Sequence, residues 1–123
     1  MSELRSGTDL VPDARQEGDT VIATVRGEID LHNSPQLRDA LLTVLLKPQP
    51  RKIVLNLADV PFMDSSAIAV LVETLQRLRK QGGKLYLTNL QPRVRGLLEI
   101  AKLDSIFKLV ADEQAAMQDE RDS

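Results

Sequence analysis

The chain has 123 residues, 42% of them hydrophobic and 28% charged, the make-up of one soluble globular domain rather than a disordered segment. A net charge of −2 supplies no basic field for nucleic acid, and only three aromatic residues (Phe62, Tyr86, Phe107) leave no stacking platform for single strands. The lack of cysteine excludes disulfides, thiol catalysis and cysteine-ligated metals. No apolar run approaches the ~20 residues of a membrane span, and the charged opening MSELRSGTDL is no signal peptide, so a cytoplasmic protein is expected.

Leu10 to Arg15 has β character, but Pro12 limits it to an irregular or edge strand. Thr20 to Arg26 alternates Val21, Ala23 and Val25 against Ile22, Thr24 and Arg26, and predicts a strand that ends at Gly27. After Gly27-Glu28-Ile29-Asp30, Ser34 as N-cap with Pro35 behind it predicts a helix start. Leu37, Ala40, Leu41, Val44 and Leu45 mark that helix's inner face, and Pro48 and Pro50 end it.

Lys52 to Leu57 reads as a central strand covered on both faces. A loop over 58–63 leads to Asp64-Ser65-Ser66, which opens a helix running to about Lys80, with Ile68, Leu71, Val72, Leu75 and Leu78 inward and Gly82-Gly83 as its stop. Lys84 to Thr88 is the next strand, and Pro92 opens a third helix with Val94, Leu97, Leu98 and Ala101 on one face. Ile106 to Val110 predicts a short strand, and Ala111 to about Glu120 a weak closing helix. Strands separated by helices require a mostly parallel sheet, with an antiparallel pair at the start. The expected class is α/β, with a mixed, mostly parallel central sheet of about five strands and four helices.

Catalytic signals are thin. His32 is the only histidine and sits in a polar loop, where a solvated or capping role is the ordinary one. No metal-ligand pattern occurs, and no cofactor is expected. Gly82-Gly83-Lys84 stands between helix and strand, the reverse of a phosphate loop. Asp64-Ser65-Ser66 by itself is an adequate helix cap. Yet two serines exceed what a cap needs, and the end of a parallel strand is where α/β domains carry functional groups.

Gly27-Glu28-Ile29-Asp30, the strand KIVLNL, Phe62-Met63-Asp64-Ser65-Ser66-Ala67 and Gly82-Gly83 ahead of a strand together resemble the bacterial anti-sigma factor antagonists, which are single STAS domains. The resemblance implies one STAS domain over 1–123, with its core at about 8–118 and flexible termini. It implies a protein that is not an enzyme. The unphosphorylated form binds an anti-sigma factor that is also a serine kinase, and so frees the sigma factor. Phosphorylation at Ser65 ends that binding, and a metal-dependent serine phosphatase resets the switch. Asp30 matches a family aspartate near the phosphorylated serine and in the kinase interface, and Glu28, Asp64 and Ser66 fall on matching positions. The family usually carries glycine where this chain has Ala67, whose methyl is a further expected partner contact. The charged outer surface of the second helix suits a monomer, with a weak dimer as the alternative. A rival role is a non-switching STAS scaffold in a stress-signalling complex, or an accessory subunit of a lipid transporter. A small enzyme built on Asp30, Asp64 and Ser65 would lack a histidine base beside the serine.

Overall fold

A computed structural model describes the backbone of residues 2–3 together with residues 10–47 and 49–119. The strands β1 (Ser2–Glu3), β2 (Asp13–Glu17), β3 (Thr20–Arg26), β4 (Lys52–Asp59), β5 (Lys84–Thr88) and β6 (Lys108–Val110) form one sheet in chain order. Pairing is antiparallel from β1 to β3 and parallel from β3 to β6. The mixed five-stranded sheet expected from sequence is therefore present as β2–β6, and the two-residue β1 extends it at one edge.

Four helices accompany the sheet: α1 (Ser34–Asp39), continued by a π-helical stretch over Ala40–Leu45, then α2 (Ser65–Lys80), α3 (Pro92–Ile100) and α4 (Glu113–Gln118). Val21, Ala23 and Val25 point to the same side as Leu55 and Leu87, into the main core with Leu37, Leu71 and Leu98 of the first three helices. The alternate residues Ile22, Val54 and Tyr86 face the other way and are covered by Ala116 of α4. Period-two alternation in β3 thus feeds two different layers. Met117 of α4 packs partly against the same residues, and polar ties add to this contact. Glu113 accepts from Arg15 at 3.0 Å and Asn56 at 2.8 Å, while Lys52 Nζ donates to the carbonyls of Ala116 and Asp119 at 2.8 and 3.0 Å.

Several expected boundaries shift. The first hairpin strand is Asp13–Glu17, not Leu10 to Arg15: Pro12 has no N–H for the ladder, and Leu10 and Val11 are buried instead as the approach to the sheet. Asn33, not Ser34, is the N-cap of α1, and Pro35 stands one position later than expected. The α2 inner face is Ala67, Val70, Leu71, Thr74, Leu75 and Leu78, with Ile68 and Val72 only partly buried. Thr74 can occupy that face because its hydroxyl donates to the Val70 carbonyl at 2.8 Å. Ala101 caps α3 in solvent, β6 begins at Lys108 rather than Ile106, and α4 begins after an Asp112 cap. Pro48 and Glu120 lie outside the described residues.

The stop at Gly82-Gly83 is a Schellman turn: Gly82, at φ +76°, donates to the Arg79 carbonyl at 3.0 Å, and Gly83 to that of Leu78 at 2.7 Å. A Cβ on Gly83 would stand 3.0 Å from Leu78 Cδ2 and 3.2 Å from both the Pro50 and Arg51 carbonyl oxygens. Two of those neighbours are backbone and cannot swing away. Gly83→Ala is therefore expected to lower stability by about 1–3 kcal/mol, measured by urea unfolding. An unchanged midpoint would show that the turn has room to give.

Candidate functional site

Two loops at the carboxyl ends of β3 and β4 meet because the parallel pairing resumes after an interruption. The β3–β4 register slips between Thr24 and Arg26, and Gly27, at φ +93°, donates to the Asp59 carbonyl at 2.9 Å. Ile29 then pairs with Met63 in an isolated parallel bridge. Its N–H donates to the Phe62 carbonyl at 3.1 Å, and its carbonyl accepts from Asp64 N–H at 3.0 Å. Ile29 and Met63 are both buried, which turns Glu28 outward and leaves Asp30 on the rim.

Asp30 closes a tight turn. One carboxylate oxygen accepts from the N–H groups of His32 at 2.9 Å and Asn33 at 3.3 Å, and the Asp30 N–H donates to Asn33 Oδ1 at 2.8 Å. Asn33 Nδ2 adds a bond to the Glu28 carbonyl at 2.9 Å. These bonds occupy the Asn33 side chain, so it caps α1 by position without a side-chain hydrogen bond. The Asp30 side chain remains 50% exposed, and His32 stands in solvent with Nδ1 3.8 Å from Asp30.

Asp64 is the N-cap of α2, in extended conformation as that position requires. Its Oδ1 accepts from Ser66 N–H at 2.9 Å, Ala67 N–H at 3.3 Å and the Ser66 hydroxyl at 2.5 Å. The Ser66 hydroxyl is the main cause that holds the Asp64 carboxyl below its ordinary range. Partial desolvation opposes it, and the amides of Ala67, Ser66 and Leu31 reinforce it.

The two serines thus separate by role. Ser66 is half-buried and tied to the cap, whereas Ser65 is exposed, and its hydroxyl bonds to no other group among the described residues. The structure brings Glu28, Asp30, Asp64, Ser65 and Ser66 to one end of the sheet. It does not bring Ala67 to the surface: the methyl is fully buried in the main core, because the third residue after the cap faces the sheet. A methyl turned inward cannot be a partner contact.

Two neighbours escaped the sequence reading. Leu31, between Asp30 and His32, is 73% exposed, and Arg93 at the start of α3 lies over the Phe62 ring at 4.6 Å from its centroid. An apolar residue inside a polar turn was the available signal for Leu31. Arg93 had none, since its contact crosses from α3 to the loop before α2. Among the described residues no group of three or more metal-ligating side chains occurs, and no helix is long and apolar enough to cross a membrane.

The Asp64 cap has a defined pH dependence. A carboxyl whose folded pKa lies below its ordinary 3.8 adds stability above that value, and the stability is lost as pH falls through the folded pKa. The wild type's thermal advantage over Asp64→Ala should be constant at neutral pH and shrink below about pH 4, whereas Asp64→Asn should show no such change relative to Asp64→Ala. Parallel pH curves for the wild type and Asp64→Asn would contradict the assignment.

Comparison with known proteins identifies the family. The STAS domain family matches residues 11–116. The chain is 35% identical over 106 residues to the anti-sigma-B factor antagonist of Bacillus subtilis (strain 168), spanning 86% of this chain and 95% of that protein. An anti-sigma factor antagonist from Mycobacterium paratuberculosis superposes with a TM-score of 0.78 at 26% identity, covering 89% of this chain and 92% of that one. The Bacillus cell fate determinant SpoIIAA in its phosphorylated form shares the fold, with a TM-score of 0.64 at 24% identity over 83% of this chain and 93% of its own. This chain belongs to the STAS domain family and, within it, to the anti-sigma factor antagonists.

Proposed function

We propose that this protein is a partner switch, an anti-anti-sigma factor controlled by phosphorylation of Ser65. Unphosphorylated, it binds an anti-sigma factor that is also a serine kinase, through the face that holds Glu28, Asp30, Asp64 and Ser65, and the sigma factor is released. The observation that carries this reading is the Ser65 hydroxyl, exposed and unbonded among the described residues on the first turn of a helix whose cap is already supplied by Asp64. A serine needed for structure would be tied down as Ser66 is.

In the transfer, Ser65 Oγ attacks the γ-phosphorus of ATP, ADP leaves, and the hydroxyl proton passes to a base of the kinase. ATP, Mg²⁺ and that base all belong to the partner. This chain supplies a hydroxyl held by a rigid helix start. The product carries about −1.5 to −2 charge at neutral pH, next to Asp30 and Asp64. Helix amides and the positive dipole end compensate part of it. Within the contact, the added charge and bulk break affinity without refolding. A metal-dependent serine phosphatase restores the hydroxyl. The cycle runs in the cytoplasm, where ATP and sigma factors are found.

Incubation with an anti-sigma kinase of the same organism and Mg-ATP, followed by intact mass, tests this directly. One phosphate on the wild type and none on Ser65→Ala is expected; no phosphate on the wild type, or the same phosphate on Ser65→Ala, removes the claim. Ser65→Asp is expected to abolish kinase binding while changing stability by less than ~1 kcal/mol, because an acidic side chain is tolerated at a helix start.

A further inference from the structure

Among the described residues two large apolar side chains stand out in solvent, Leu31 at 73% and Ile100 at 81% exposure. A single exposed leucine is ordinary on a protein surface. Leu31 differs in how its backbone is held and in what surrounds it. It sits at the tip of the turn closed by the bonds from His32 and Asn33 to the Asp30 carboxylate and from Asp30 N–H to Asn33 Oδ1. That turn is joined to the start of α2 through the Asp64 N–H bond to Ile29 at 3.0 Å, and the Leu31 amide helps stabilise the Asp64 carboxylate. Leu31 is therefore carried on the same rigid support as Ser65. Ile100 lies elsewhere, on the last turn of α3.

The charges on this face constrain what can cover it. Glu28, Asp30 and Asp64 are acidic, and burying them without cations would be costly. Exposed rim charges steer encounter and register more than they add affinity. The apolar driving force must come from elsewhere, and Leu31 is the face's large exposed apolar side chain. A fixed backbone also lowers the ordering cost of binding.

Resting on the phosphorylation-switch reading above, we propose that Leu31 is the apolar anchor of that face. It enters an apolar pocket on the anti-sigma kinase rimmed by arginine or lysine, and thereby positions Ser65 for phosphoryl transfer. Leu31 is a positioning and specificity residue, not a reacting one.

The test is binding kinetics on immobilised anti-sigma kinase with Mg-ADP in place of ATP, so that no transfer occurs. Leu31→Ala should dissociate about ten-fold or more faster than the wild type, with association changed far less. With Mg-ATP, the same variant should raise KM for this protein as a substrate and keep kcat. Leu31→Met should recover most of the affinity, and Ile100→Ala should behave as wild type. Equal thermal midpoints for all four proteins are expected, since both side chains are in solvent. Wild-type dissociation by Leu31→Ala, or an equal loss in Ile100→Ala, overturns the anchor alone. Failure of the wild type to bind at all removes the switch reading and the anchor with it.

Discussion

Two backbone hydrogen bonds hold the candidate site together: Ile29 N–H to the Phe62 carbonyl, and Asp64 N–H to the Ile29 carbonyl. They resume parallel pairing between the chains leaving β3 and β4 after the register has slipped at Arg26. With Ile29 and Met63 buried side by side, the alternation of side chains leaves Glu28 outside and Asp30 on the rim. This short stitch ties the Asp30 turn to the start of α2. The rest of the site inherits its geometry from these few atoms.

On the phosphorylation-switch reading, the consequence for chemistry is a surface that receives a phosphoryl group from its partner. Asp64 Oδ1 accepts from Ser66 and Ala67, which fixes the helix start, while the Ser65 hydroxyl bonds to no other group among the described residues. On that reading, Glu28, Asp30 and Asp64 oppose the charge of a phosphate on Ser65, and modification acts through the contact face. Stability and signalling are, on the same reading, separated between two adjacent serines, Ser66 tied to the cap and Ser65 exposed.

Much of this was legible in the sequence. The alternation in Thr20–Arg26 and the short run Lys84–Thr88 placed both strands to the residue, and Asp64 and Gly82-Gly83 marked the two ends of α2 through local chemistry. What failed was decided by contacts distant in sequence or by hydrogen bonds that periodicity does not count. Thr74 is tolerated inside because its hydroxyl has a carbonyl partner, and the buried face of α2 lies about one position from the one that apolar periodicity marks. Asn33 takes the cap position ahead of Ser34 with its side chain engaged by Asp30 and Glu28 and not by the helix amides, a bonding pattern that a capping preference does not reveal. Ala67 was misplaced for the opposite reason: a family comparison drew attention to the residue and not to the side on which its methyl lies. Leu31 was overlooked because apolar periodicity ranks interior positions and is blind to a leucine held in solvent.

The central claim is that phosphate on Ser65 changes a binding face on an otherwise unchanged scaffold. Amide NMR spectra of the unphosphorylated and Ser65-phosphorylated protein test it most directly. Shift changes confined to residues 28–34 and 60–72 are the predicted result. Changes spread across the distant strands β5 and β6 and the helix α4 would contradict it, and would mean that the switch works by remodelling the fold.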